Sequence, residues 1–251
     1  MGCVVANSDA DSEGATVTQT RSPVSFVISR YIQHPCLYRG RKFDLRFLVS
    51  LANPEAAPGG SVSCFTLGLY QKWFVRCADH AYSLSEFDDP RKHLTVMQYL
   101  DDEAGSVAAG GVAPRGYVSP RQVCEQLGVS EATITGQCHQ AILELFSVAI
   151  SGQVVGDAGE NLGIDAQQQG LRCGALYGVD ILLEPTPAGD HGSSYSHKPI
   201  VLEVNHRPDT RRVLAEDPGF YDELLPLLFT EQGRAGMAPS SNWKMFRRGP
   251  G

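Results

Sequence analysis

The sequence predicts an α+β protein built around a largely antiparallel sheet. Segments with strand character and segments with helical character are grouped in blocks along the chain instead of alternating singly. Short turn-forming stretches join several of the strand-like segments, which is typical of antiparallel neighbours. The 251 residues are enough for one large or two small domains, each with its own core.

Composition narrows the class of protein. Hydrophobic residues make up 42% of the chain and charged residues 20%, as in most folded globular proteins. The 28 acidic and 21 basic side chains give a net charge of −7, which argues against a general nucleic-acid binder because polyanions are repelled. The sequence contains no apolar run of transmembrane length. Seven scattered cysteines without a C-x-x-C pair favour reduced thiols in the cytoplasm.

The first third of the chain predicts a leader followed by strands. Residues 1–22 are small, polar and aperiodic, which indicates a disordered leader. The run 24–32 is rich in β-branched and aromatic residues and predicts a buried strand. The run 42–51 alternates between polar and apolar residues and predicts a second strand. The runs 62–69 and 73–77, joined by a tight connection, complete an expected antiparallel meander.

Helices and two further strands are expected in the rest of the chain. Ser119–Pro120 has the chemistry of a helix start, and 131–150 repeats apolar residues at helical spacing. That repeat predicts a core face that includes Leu145. Strands are predicted at 175–183 and 199–204, and a last helix over Phe220 to Phe229.

Charged side chains on the strand 42–51 form the first candidate site. Alternation sends Lys42, Asp44 and Arg46 to one face of this strand. With Arg76, they could neutralise a polyphosphate while the carboxylate binds ribose hydroxyls. The competing interpretation is a solvated face of an edge strand.

Two acidic segments form the second candidate site. Asp180 lies inside an apolar strand, while Glu203 and Asn205 are two residues apart and share a face of theirs. Strict alternation places Val201 on that face as well. If the two strands pair, the three polar residues offer hard oxygen ligands of the kind that magnesium prefers. The alternative is that the two acids are separate members of structural ion pairs.

Several motifs, in this order, resemble those of the tubulin–tyrosine ligase family. They are Ser29–Pro35, Arg41–Arg46, His93–Thr95, and Gly178–Asp180 with Leu202–Asn205. The resemblance predicts a domain of this family over residues 23–232, after the leader 1–22 and before a flexible tail over 233–251.

The resemblance implies the C-terminal part of an ATP-grasp ligase, which phosphorylates a carboxylate with ATP so that an amine can attack the acyl phosphate. The residues implied to bind ATP are Arg30, Ile32, Lys42 and Asp44. The residues implied to hold the γ-phosphate and the developing acyl phosphate are Arg46 and Arg76. The residues implied to bind Mg²⁺ are Asp180, Glu203 and Asn205.

The resemblance also implies a cytoplasmic, microtubule-associated protein that acts on tubulin or another acidic protein. The glycine-bearing phosphate loop of the family has no counterpart before Val24, so the expectation is either a truncated sequence or a protein that keeps a partial nucleotide site. Val96 follows His-Leu-Thr where active ligases carry Asn. The alternative function is therefore that of an inactive relative or fragment that binds a nucleotide or a protein. The basic residues Arg207, Arg211 and Arg212 form either an acidic-tail contact or a solvated cluster.

Overall fold

The computed structural model describes residues 29–56, 62–95, 118–150, 174–186, 197–230, 233 and 241–248. In this part of the chain, seven strands form one sheet flanked by helices. The strands are β1 (Leu37–Tyr38), β2 (Arg41–Ala56), β3 (Val62–Tyr70), β4 (Phe74–Cys77), β5 (Gly174–Pro185), β6 (His197–His206) and β7 (Trp243–Arg248). The helices are α1 (Pro90–His93), α2 (Pro120–Leu127), α3 (Glu131–Ile150), α4 (Arg211–Glu216) and α5 (Phe220–Phe229). Every strand pairing is antiparallel, which confirms the predicted fold class.

Strand β2 is the centre of the sheet, whose order is β6-β5-β2-β3-β7. One edge of β2 pairs with β5, and the other edge pairs with β4 over 43–46 and with β3 over 49–56. Strands β3 and β4 therefore lie end to end along one edge of β2, and the predicted meander is wrong. The 16-residue length of β2 makes this possible, because one strand can hold two shorter partners in succession.

The segment before β2 differs from its prediction. Residues 29–36 contain no strand, so the strand expected over 24–32 is wrong for its described part, and 24–28 lie outside the described residues. Tyr31 instead directs its hydroxyl to His93, at 2.7 Å from Nδ1, so a side-chain contact fixes this segment. Strands β1 and β2 are joined by Arg39 and Gly40, both with positive φ, as a two-residue hairpin turn of type I′ requires.

One face of the sheet packs against α2 and α3. The β2 residues in this first core are Phe43, Leu45, Phe47, Val49 and Leu51. From α3, Ile134, Cys138 and Ile142 are buried against them, as the helical spacing predicts. Leu145 was expected on the same stripe but is 36% exposed, and Phe146 is buried in its place. A stripe that spans five turns drifts around the helix, so the last core position moves by one residue.

The opposite face carries a second core at one end. Helices α4 and α5 pack there through Val213, Phe220 and Leu224 against the Leu48–Ala52 end of β2. The charged residues of β2 occupy the same face nearer to its start. This second core thus supports the strand that positions the candidate site.

The C-terminal segment is ordered where the structure describes it. Strand β7 pairs with β3, and Trp243 is only 3% exposed within the second core. Asn242 donates through Nδ2 to Asp217 at 3.0 Å, and its carbonyl accepts from the Gln71 N–H at 2.7 Å. The prediction of a flexible tail over 233–251 is therefore wrong for 241–248. The sequence of β7 is only six residues long and does not alternate strictly between polar and apolar residues, so its strand signal is weak.

The leader predicted over 1–22 lies outside the described residues. Among the helices of the described residues, none combines the length and the hydrophobicity that a bilayer-spanning helix requires.

Candidate functional site

The strand register gathers the predicted charged residues on one face of the sheet. Asp44 of β2 lies opposite Arg76 of β4, and Arg46 of β2 lies opposite Asp180 of β5. Asp180 in turn lies opposite Glu203 of β6. Directly opposed residues of antiparallel strands share a face, so four strands contribute to one cluster.

A β-bulge in β6 is the reason that Glu203 reaches this face. Ile181 pairs with Val201, but the next pair is Asp180 with Glu203, so Leu202 is an extra residue. Val201 packs against the first core, while Glu203 lies beside Asp180 on the other face. Grouping Val201 with Glu203, as strict alternation predicts, is therefore wrong. The bulge breaks the period-two pattern between them.

Two arginines connect two deeply buried carboxylates. Arg46 donates from Nε and Nη2 to the two oxygens of Asp180, each at 2.7 Å. Arg76 donates in the same way to Asp44, at 2.7 and 2.8 Å, and its Nη2 is also 2.8 Å from Asp180 Oδ2. Both aspartates are 1% exposed. Bidentate pairing of this kind compensates the cost of burying the charges and fixes the guanidinium planes.

The pKa values of the two aspartates move in opposite directions. Burial acts to raise the pKa of Asp180, but the hydrogen bonds from Arg46, the neighbouring Glu203 and the charge of Arg76 together lower it. Burial raises the pKa of Asp44, against the opposing effect of Arg76. Burial acts to lower the pKa of Arg76, but its carboxylate partners raise it, so this side chain is cationic. The cluster therefore holds fixed positive charge beside an ionised Asp180.

Glu203 and Asn205 lie beside Asp180, so the three predicted metal ligands are neighbours. Asn205 Nδ2 lies 2.7 Å from Glu203 Oε1 and 3.4 Å from Asp180 Oδ2, which brings all three predicted ligands together. Carboxylate and amide oxygens are the donor types that Mg²⁺ prefers, so the residues fit it chemically. Asp180 is the least available, because both of its oxygens are bound by arginine. Among the described residues, no group of three or more His, Cys, Asp or Glu side chains is placed to hold a metal.

Lys42 joins the site through an aromatic ring. Its ammonium lies 4.7 Å from the centroid of the Tyr31 ring, a cation–π contact. Burial lowers the pKa of Lys42, and the negative charge of Asp44 opposes this effect. Arg30 and Ile32 flank Tyr31 in the chain, Arg30 exposed and Ile32 half-buried. No described ion pair or hydrogen bond connects Arg30 to the charged cluster.

His93 and Thr95 are site residues to which the sequence motifs assigned no role. His93 Nε2 lies 2.9 Å from the Glu86 carbonyl oxygen, which can only accept, so Nε2 carries the proton. In the neutral ring, Nδ1 then accepts from the Tyr31 hydroxyl. Thr95 donates its hydroxyl to Asp44. The segment that ends at Thr95 is thereby connected both to the Tyr31 segment and to the charged cluster. The His-Leu-Thr motif was the one feature of the sequence that pointed to these contacts.

The three arginines after β6 do not form one basic patch. Arg212 is 7% exposed and donates to the Val75 carbonyl at 3.0 Å. Arg211 is exposed, and its Nη2 lies 2.7 Å from Asp209 Oδ2. Arg207 is exposed and has a left-handed backbone with φ of 58°. Two of the three are thus occupied by partners within the protein.

An antiparallel sheet with a charged face of this kind is consistent with an ATP-grasp-like ligase fold. The model of the tubulin-tyrosine ligase family matches residues 2–238, and the chain therefore belongs to this family. Tubulin–tyrosine ligase-like protein 12 of Homo sapiens is 27% identical over 224 residues, which are 86% of this chain and 31% of that protein. The Caenorhabditis elegans protein of the same name is 27% identical over 213 residues, 82% of this chain and 28% of that protein.

A further relative carries a different description. Probable tubulin polyglutamylase TTLL9 of Bos taurus is 27% identical over 202 residues, which are 77% of this chain and 35% of that protein. The chain spans about a third of the length of the curated relatives it matches.

Proposed function

We propose that this chain supplies the C-terminal part of the site of an ATP- and Mg²⁺-dependent ligase. The reaction joins an amino acid to a protein carboxylate through an acyl phosphate, and the names of the relatives make tubulin the expected target. The observation that carries the proposal is the convergence of Asp44, Arg46, Arg76, Asp180 and Glu203 on one sheet face.

The family resemblance implies a role for each of these side chains. Lys42 and Asp44 contact adenine and ribose, together with Arg30 and the Ile32 backbone. Arg46 and Arg76 hold the γ-phosphoryl group while the acceptor carboxylate attacks its phosphorus and ADP leaves. The amine of the incoming amino acid then attacks the acyl carbon, loses a proton and displaces phosphate.

Preorganisation is what the arginine network contributes. Asp44 and Asp180 hold both guanidinium groups in fixed planes, so little reorganisation is needed when phosphate charge moves between oxygens. Glu203 and Asn205 would hold Mg²⁺, with Asp180 as the third donor. The metal ion would neutralise phosphate charge when bound.

A non-catalytic nucleotide- or protein-binding module is the second candidate function. The observation that favours it is the double occupation of Asp180, whose two oxygens already bind Arg46 and Arg76. A network whose charges are mutually satisfied can support the sheet without binding a metal ion.

Calorimetric titration with Mg-ATP tests the metal-dependent nucleotide site that the ligase proposal requires. Wild type should bind, and Glu203→Gln should bind about tenfold more weakly, because the change removes a negative charge and retains the shape. Chelation of Mg²⁺ should weaken binding by wild type and leave the variant nearly unchanged. Arg121→Gln is the matched control, because its ion pair with Glu125 lies on the exposed surface of α2. Absence of Mg-ATP binding by wild type and Glu203→Gln would support the non-catalytic candidate in its protein-binding form.

A further inference from the structure

Arg207 occupies a backbone conformation that does not suit an arginine. Its φ of 58° lies in the left-handed region, where a Cβ is disfavoured and glycine or asparagine is preferred. Of the other described residues with positive φ, Arg39 and Gly40 form a hairpin turn and Gly128 ends helix α2. Arg207 instead follows edge strand β6, where its N–H donates to the Leu176 carbonyl at 3.2 Å. A residue kept in an unfavourable conformation is a candidate for a functional side chain.

The corner that Arg207 begins folds back onto the candidate site. Pro208 follows it and packs on Gly178, where an added Cβ would lie 2.9 Å from Pro208 Cβ. The same point lies 3.5 Å from Arg46 Nε, so Pro208 and Arg46 are neighbours around this glycine. Asn205, a predicted metal ligand, is only two residues before Arg207 in the chain. Arg207 therefore lies at the rim of the charged cluster.

Arg207 also differs from the two arginines that follow it in its side-chain contacts. Arg211 is paired with Asp209, and Arg212 is buried with its bonds to Val75 and Glu216. In the described ranges, no ion pair or side-chain hydrogen bond engages Arg207. One exposed guanidinium at the rim is thus available to an external anion.

We infer that Arg207 contacts the side-chain carboxylates of an acidic peptide segment that carries the acceptor, and so helps to determine which protein is modified. The inference rests on the proposed function. A guanidinium suits carboxylates because it presents two parallel donors in one plane. The inner cations Arg46 and Arg76 are the ones assigned to phosphate, which leaves the rim position to the protein substrate.

The change Arg207→Asn tests this inference because its two effects have opposite signs. Asparagine tolerates the left-handed backbone, so the melting temperature should rise by about 2 to 4 °C. Loss of the guanidinium should weaken binding of an oligoglutamate peptide about fivefold, measured by fluorescence anisotropy on the whole chain with and without Mg-ATP. A purely structural role for Arg207 would not give a more stable protein with weaker peptide binding.

Two variants complete the design. Arg207→Lys keeps the charge and should retain most of the peptide affinity, while Arg211→Gln changes an exposed arginine four residues away and should retain all of it. Unchanged peptide affinity in Arg207→Asn, or no peptide binding by wild type, overturns the inference. A loss of Mg-ATP affinity in Arg207→Asn with unchanged peptide affinity also overturns it, because the residue would then be a phosphate contact. Failure of wild type to bind Mg-ATP overturns the proposed ligase function instead, and is read from a separate titration.

Discussion

Strand β2 presents two faces that are both largely buried but are held in different ways. The residues of its apolar face are Phe43, Leu45, Phe47, Val49 and Leu51, none more than 7% exposed. On the other face, Lys42, Asp44 and Arg46 carry charges, and Asp44 is 1% exposed. Apolar burial is non-directional and spread over many contacts. The charged face depends on a few partners whose geometry is fixed.

This difference determines how each face responds to substitution. An apolar residue can lose a methyl group and keep most of its contacts. A buried carboxylate that loses its arginine keeps its full desolvation cost with no compensation. We therefore expect the charged face to be the more sensitive of the two to single changes.

Arg76→Leu should give the largest effect. It leaves Asp44 without its bidentate partner and removes a contact to Asp180, so the free energy of unfolding should fall by about 3 to 5 kcal/mol in urea denaturation. Arg91→Leu is the matched control, because Arg91 makes a similar pair with Asp89 at the surface and its loss should leave stability unchanged. Equal effects of the two changes would contradict the distinction between buried and exposed pairs.

His139 is a buried polar residue on the apolar side of the sheet, and its burial should make the stability of the protein depend on pH. It is 5% exposed on α3, its ring centroid lies 5.7 Å from that of Phe47, and Nε2 has no hydrogen-bond partner among the described residues. Burial, with a smaller effect of the Lys244 charge, lowers its pKa from 6.5 to about 4. Between these values the unfolded chain binds the proton and the folded chain does not, so stability falls as the pH drops through this range.

The free energy of unfolding should decrease by at most about 3 kcal/mol near pH 4 as a result of His139 protonation on unfolding. The measurement is the free energy of unfolding of wild type and His139→Met at several pH values. Subtracting the two curves removes the common contribution of the acidic residues. The free energy of unfolding of wild type minus that of the variant should decrease as the pH falls, and can become negative. Parallel curves would show that His139 is not titrated by unfolding.

Ile142→Val should give the smallest effect and sharpen the contrast. Ile142 is fully buried in the first core on α3, and loss of one methylene there should cost about 1 kcal/mol. Mg-ATP affinity in calorimetry should not change, because the charged cluster lies on the opposite face of the sheet. A large change in affinity would mean that the two faces are coupled through β2.

Local signals in the sequence were sufficient for much of the fold and for the set of charged residues that gather at the site. Alternation in β2 separated Asp44 and Arg46 from Phe43, and the start of α2 at Ser119 was confirmed by its capping box. Motif order identified the family and brought Asp180 and Glu203 into consideration as neighbours. The metal, nucleotide and catalytic roles of these residues remain predictions.

Other features had no local signal. The end-to-end placement of β3 and β4 depends on the length of β2 and on what fits beside it. Strand β7 is held in place because Trp243 is buried in the second core. The residues of that core come from distant parts of the chain, so a short stretch of sequence cannot predict this contact. The burial of Phe146 instead of Leu145, by contrast, follows from the drift of a long helical stripe, which is a local property.

The sequence by itself determined the fold class, the family and the set of charged residues, because periodicity and motif spacing are local properties. Only the tertiary structure decided how those charges are used. A one-residue bulge at Leu202 places Glu203 beside Asp180, and the pairing of β2 with β5 and with β4 ties Asp180 to Arg46 and Arg76. Cross-strand register and the partner of a buried charge depend on residues far apart in the chain, so they are settled only when the sheet assembles.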